Sequence, residues 1–212
     1  MDLDFWRSKW ENNQIAFHEG KPNALLVKHL AQLDLSRGAR IFVPLCGKTR
    51  DIAWLLSQGF EIVGAELSAL AVEQLFADLG LSPQMSKLGT LTRCSARGID
   101  IFIGDIFELT RERLGPVDAV YDRAALVALP EALRERYAAH LVDITKAAPQ
   151  LLICFDYDQS LIAGPPFAVS PEHTRALYGT AYDIRQLDSV EVPGGLKGRC
   201  AAQERVLLLR RP

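Results

Sequence analysis

The sequence predicts an α/β domain in which a mostly parallel sheet is covered by helices on both faces. Two observations carry that prediction. From Arg40 onward, short β-rich runs alternate with stretches of helical periodicity, the pattern that winds a parallel sheet. The run Leu151-Leu152-Ile153-Cys154-Phe155 is apolar at every position, as a strand covered on both faces must be. With 212 residues, 49% of them hydrophobic and 24% charged, the chain has the composition of one soluble domain with a sizeable core. That domain is expected over 1–212, with a helical N-terminal appendage over 1–39 and the sheet-bearing core over 40–212.

The first strand is Ile41-Phe42-Val43-Pro44-Leu45, closed by Cys46-Gly47-Lys48. A helix follows from Asp51, with Ile52, Leu55 and Leu56 at helical spacing and Gly59 placed to stop it. Glu61 to Glu66 is the second strand; Ser68 caps the next helix, which carries Leu70, Ala71, Leu75, Phe76 and Leu79 and ends at Gly80. Leu91 to Cys94 and Ile99 to Ile103, joined by the polar turn Ser95-Ala96-Arg97-Gly98, read as a hairpin inserted into the sheet. Val117 to Asp122 is another buried strand, a helix is expected from about Pro130 to Thr145, and Gln150 to Tyr157 is an interior strand. A short helix near Pro171 to Tyr178 precedes two strands, around Ile184 to Val192 and Ala202 to Leu209, expected to pair antiparallel at a sheet edge.

Composition argues against several function classes. The 24 basic and 26 acidic residues leave a net charge of -2, and no basic stripe is interleaved with aromatics, so nucleic acid is not the expected partner. Cys46, Cys94, Cys154 and Cys200 form no CxxC pair and read as reduced packing residues of a cytoplasmic protein. An acidic N-terminus and the lack of an apolar run near the ~18 residues of a membrane span predict a chain neither exported nor embedded. His18, His29, His140 and His173 show no ligand spacing, and no metal is expected.

Candidate chemistry gathers at the carboxyl ends of the strands, where open α/β sheets bind ligands. Gly47, in the turn Leu45-Cys46-Gly47-Lys48, would let backbone approach a ligand closely, although the same glycine serves any tight strand-to-helix turn. Gly47-Lys48-Thr49 suggests a phosphate-binding loop, but that motif needs a glycine where Phe42 stands. Glu66 follows Gly47 by 19 positions (66 minus 47), near the ~20 expected of a carboxylate that accepts from ribose hydroxyls. Asp105 could contact an adenine or simply cap the turn it precedes. Arg123 ends a strand at the same edge, and Asp122 could hold its guanidinium or meet a ligand ammonium. Trp6 and Trp10, at i and i+4, either pack into a core or form a lid whose rings attract a sulfonium cation and exclude water.

Taken together, several segments resemble the bacterial form of the thiopurine S-methyltransferase family. They are Phe5-Trp6-Arg7-Ser8-Lys9-Trp10 with Ala16-Phe17-His18, Pro44 to Lys48, Val63 to Ser68, Asp105-Ile106-Phe107, Asp122 to Ala128 and Gly164-Pro165-Pro166-Phe167. The resemblance implies a class I, Rossmann-like methyltransferase fold: a mostly parallel seven-stranded sheet with an antiparallel last strand and helices on both faces. It implies S-adenosylmethionine as methyl donor, with Trp10, Leu45, Glu66 and Arg123 as donor contacts and Trp6, Gly47, Asp105 and Ile106 as further members of that site. Phe17, Pro166 and Phe167 would border the acceptor, and Arg123, which would also touch it, is the candidate catalytic residue. The segment Pro193-Gly194-Gly195-Leu196-Lys197-Gly198-Arg199 departs from the basic stretch of the animal members, which leaves the acceptor open. Thiopurines and other aromatic or heterocyclic thiols are implied by the family, and selenium and tellurium compounds, with tellurite resistance, by its bacterial members.

The expected reaction is a direct displacement at the methyl carbon by a thiolate or selenolate, carried out by a cytoplasmic monomer on a small molecule. Two other readings stand beside it. A non-catalytic sensor of adenosyl ligands would bind the donor without turnover, and a nucleotide hydrolase of the phosphate-loop type would require the motif that Phe42 interrupts.

Overall fold

The computed structural model describes residues 3–12, 14 and 19–212. The chain divides into two compact units after Ala119.

The first unit holds helix α1 (Leu3–Glu11), α2 (Ala24–His29), strand β1 (Arg40–Pro44), α3 (Arg50–Ser57), β2 (Glu61–Glu66), α4 (Ala69–Leu79), β3 (Gln84–Leu88), β4 (Leu91–Ala96), β5 (Ile99–Ile103) and α5 (Arg111–Leu114). Its strands run in the order β3-β4-β5-β2-β1. β1 and β2 are parallel with Pro44 opposite Ala65, and β2 and β5 are parallel with Glu66 opposite Ile103, so these three strands end at one edge. Side chains on both faces of β1 and β2 are buried, Ile41, Phe42, Ile62 and Val63 among them. That double burial is why these runs read as apolar throughout rather than as alternating. Local chemistry fixes the helix ends: Thr49 caps α3, Ser68 Oγ accepts from Ala71 N at 3.2 Å to start α4, and Gly80 at φ +66 stops it.

The second unit opens in β6 (Ala119–Arg123) and continues through α6 (Glu131–Thr145), β7 (Gln150–Tyr157), α7 (Pro171–Tyr178), β8 (Asp183–Glu191) and β9 (Ala202–Arg210). β6 and β7 are parallel, while β9 runs antiparallel between β7 and β8. The expected late antiparallel pair is therefore present, with half-exposed β8 outermost.

The seven strands of the family sheet correspond to β1, β2 and β5 to β9; β4 pairs antiparallel with β5 as the expected hairpin, and β3 is the one strand among the described residues that was not expected. β3 carries no readable strand period because it is exposed and polar; pairing with β4 across the Gly89 turn makes it a strand. No helix among the described residues is long and apolar enough to cross a membrane.

Candidate functional site

In the first unit the site is built on the turn from β1 to α3. Leu45 and Gly47 both take positive φ, 45° and 52°. Cys46 N donates to Ala65 O at 3.0 Å, which holds the turn on the end of β2. The Glu66 carboxylate then ties it from the side: Oε2 accepts from Gly47 N and Oε1 from Ser68 N, both at 2.8 Å. One buried carboxylate thus joins the β1 turn to the start of α4. A carboxylate has about four acceptor sites, so two backbone donors leave capacity for a pair of ribose hydroxyls. Burial pushes the Glu66 carboxyl up, opposed by these backbone N–H groups. The neighbouring Cys46 thiol is pushed well up by burial and then by the Glu66 charge, so it stays a neutral packing group.

Trp10 meets the same turn. A Cβ on Gly47 would stand 3.0 Å from Cζ2 and 3.4 Å from Cη2 of its indole, and Trp10 is buried. α1 lies against α4, so the N-terminal helix folds onto the first unit. Trp6, one turn earlier and half-buried, packs edge-on to Phe5 with ring centroids 5.3 Å apart. Phe17, expected beside the acceptor, lies outside the described residues.

The end of β5 completes this cluster. Gly104 N donates to Glu66 O at 2.9 Å. Asp105 Oδ1 accepts from Phe107 N at 3.1 Å and caps the 3-10 turn Ile106–Glu108, with Ile106 buried beneath it. Of the two roles the sequence allowed Asp105, the capping role is the one its geometry displays. Trp10, Leu45, Gly47, Glu66, Asp105 and Ile106 are thus all carried by the first unit.

Sequence reasoning missed Asp51 and Asn23. Asp51 Oδ1, buried in the first turn of α3, accepts from Asn23 N at 2.7 Å, and Asn23 Oδ1 accepts from Leu25 N and Leu26 N to start α2. Asn23 ahead of Ala24-Leu25-Leu26 is a readable cap; nothing local marks Asp51 as its partner.

In the second unit Arg123 ends β6 and is followed by Ala124 at φ +64. Asp122, which the sequence offered as a holder of that guanidinium or a contact to a ligand ammonium, bonds within its own unit. It is wholly buried, its Oδ2 accepts from Tyr137 OH at 2.8 Å, and its Oδ1 accepts from Leu126 N at 3.1 Å. Neighbouring strand residues point to opposite faces, which separates its direction from that of Arg123. Burial pushes the Asp122 carboxyl up to about 6.

Pro166 and Phe167 sit in a segment tied down at every step. The Gly164–Pro165 and Pro165–Pro166 bonds are cis, and a Cβ on Gly164, which lies at φ +80, would run into the Phe167 ring. Lys197 Nζ donates to Pro165 O, Tyr157 OH to Pro166 O, and Phe167 N to Val127 O, each at 2.7 Å. The 193–199 segment, unplaced by sequence, therefore touches the Gly164–Phe167 run through Lys197.

A model of the family described as thiopurine S-methyltransferase matches residues 1–211. A protein of that name from Xanthobacter autotrophicus is 62% identical over 212 residues, covering 100% of each chain. Another from Gluconobacter oxydans is 53% identical, over 95% of this chain and 92% of its own. Among solved structures, a Burkholderia thailandensis 1,6-didemethyltoxoflavin-N1-methyltransferase with bound S-adenosylhomocysteine superposes with a TM-score of 0.65 at 16% identity, over 98% of this chain and 86% of its own. A S-adenosylmethionine-dependent methyltransferase from Anabaena variabilis gives 0.63 at 16% identity, over 98% and 95%. These two likenesses establish the methyltransferase fold, and the sequence matches over essentially the full length place the chain in the thiopurine S-methyltransferase family.

Proposed function

We propose that this protein transfers the methyl group of S-adenosylmethionine to the sulfur of a small aromatic or heterocyclic thiol, thiopurines included, acting as a single-domain cytoplasmic monomer. The observation that carries the donor side is the Glu66 carboxylate, held by Gly47 N and Ser68 N with acceptor capacity to spare. S-Adenosylmethionine supplies the methyl carbon on a sulfonium that departs as a thioether. Glu66 binds the ribose hydroxyls in this reading. The Leu45–Gly47 turn lets the backbone approach the ligand, Asp105 and Ile106 border the nucleoside, and Trp10 with Trp6 excludes water from the cation.

The acceptor thiol loses its proton to solvent, and its sulfur attacks the methyl carbon from the side opposite the leaving thioether. Positive and negative charge cancel as the bond forms, so alignment and removal of water contribute most of the catalysis. Arg123 provides local positive charge for the anionic acceptor, which Pro166 and Phe167 of the same unit border. Selenium and tellurium nucleophiles belong to the same reading, because the attacking atom need only be a soft anion.

The test is incubation with methyl-labelled S-adenosylmethionine against aromatic thiols, selenite and tellurite, with products identified by mass. Donor affinity of Glu66→Ala and Trp10→Ala is measured in parallel. Methylated thiol and weakened donor binding in both variants are expected. Donor binding without product from any acceptor would favour the sensor reading, and parent-like affinity in both variants would overturn the donor site.

A further inference from the structure

Helix α6 turns one face inward in an unusual way for its composition. Glu135 and Arg136 are exposed, yet Arg134 and Tyr137, three positions apart and so on one face, are buried at 3% and 0% exposure. Burying a guanidinium is costly unless its donors are matched, and Arg134 is matched: Nε donates to Leu129 O and Nη1 to Ala168 O, both at 2.9 Å. Nη1 also lies 3.3 Å from His173 Nδ1, and the guanidinium carbon stands 5.6 Å from the centre of the Phe167 ring. Tyr137 reaches the other way, through its hydroxyl to Asp122, which in turn holds Leu126 N.

These two ties close on each other. Leu126 begins the 3-10 turn Leu126–Ala128, and Val127 O within that turn accepts from Phe167 N at 2.7 Å. The residue before Arg123 and the segment bearing Phe167 are therefore fastened to one helix face by a loop of hydrogen bonds, buried at Asp122 and Tyr137 and half-buried at Ala168. A shift of either arm would have to break bonds in the other.

We propose that Arg134 and Tyr137 are positioning residues that fix Arg123 relative to Phe167 and so set which acceptor rings the enzyme admits. This rests on the reading that Arg123 and Phe167 border the acceptor. An apolar side chain at this position would avoid burying a charge but could not donate to Leu129 O and Ala168 O, so what the guanidinium supplies is the fixed geometry of these two carbonyls.

The experiment compares Arg134→Lys and Tyr137→Phe with the parent on a bicyclic thiopurine and on thiophenol, with donor Kd and Tm recorded. The ratio of kcat/KM for the two acceptors should change about threefold or more, through KM, while donor Kd stays within about twofold. An unchanged ratio, with both activities falling together or only Tm moving, would mean a purely structural role and overturn the proposal. Tyr137→Phe keeps the ring and decides the matter alone should Arg134→Lys not fold. Phe167→Ala and Arg123→Ala separate the two levels: if neither alters the KM of either acceptor, the acceptor reading itself fails. If they do alter it while Arg134→Lys and Tyr137→Phe keep the parent ratio, only the positioning role fails.

Discussion

The indole of Trp10 closes over Gly47 so tightly that a Cβ on Gly47 would stand 3.0 Å from the ring. The contact fastens the N-terminal helix to the turn whose backbone N–H is held by Glu66. Gly47→Ala should therefore meet two obstacles, the positive φ of 52° and the indole. Donor affinity is expected to fall about fivefold to thirtyfold, for a combined cost of about 1–2 kcal/mol. In a Trp10→Ala background the added cost of Gly47→Ala should shrink, which calorimetric titration of all four proteins would show. Equal penalties in both backgrounds would mean the ring and the turn are independent.

Glu66→Gln preserves shape but turns one acceptor into an N–H donor facing either Gly47 N or Ser68 N. A clash of donors in a buried site should cost about 1–3 kcal/mol of stability as well as donor affinity. Urea unfolding of the unliganded variant checks the first effect. A parent-like midpoint would show that the carboxylate does not hold the turn before ligand binds.

Asp122 makes a pH prediction. Burial raises its carboxyl from 3.8 to about 6, so the folded state holds this proton more tightly than the unfolded chain does. Its contribution to stability is complete below 3.8 and is lost as pH rises through about 6, a change on the order of 3 kcal/mol. Asp122→Asn has no such proton, so the stability of the variant relative to the parent should rise between about pH 4.5 and about pH 7.5. Denaturant titrations at the two pH values supply the comparison, and a pH-independent difference would show that this carboxyl titrates alike in both states.

Arg123→Ala should slow turnover more than it weakens donor binding, because its proposed part lies with the charge of the acceptor. A loss of kcat/KM of about tenfold to a hundredfold, with donor Kd changed by less than threefold, is expected from steady-state kinetics and titration. Kinetics equal to the parent would remove Arg123 from the reaction.

Much of the scaffold was legible because it is encoded between near neighbours. Ser68 and Gly80 bracket α4 as their side-chain oxygen and freedom of φ require, and the apolar run of β7 is buried as its composition demands. The spacing of Gly47 and Glu66 likewise put both at one edge, since consecutive parallel strands bring such positions together, while the hydrogen bond between them emerged only in the structure. β3 was not legible, because its strand character comes only from β4 beside it.

The sequence by itself determined the parallel core strands with the helices between them, the late antiparallel pair, the turn at Gly47 and the family, all of which depend on residue types a few positions apart or on motif. Only the tertiary structure decided the partners of buried polar groups. Asp122 accepts from Tyr137, Arg134 turns from the charged face of α6 to the carbonyls of Leu129 and Ala168, and Asp51 accepts from Asn23 N. A buried donor or acceptor must be matched, but which distant group matches it follows from how the chain packs, and no local pattern records that.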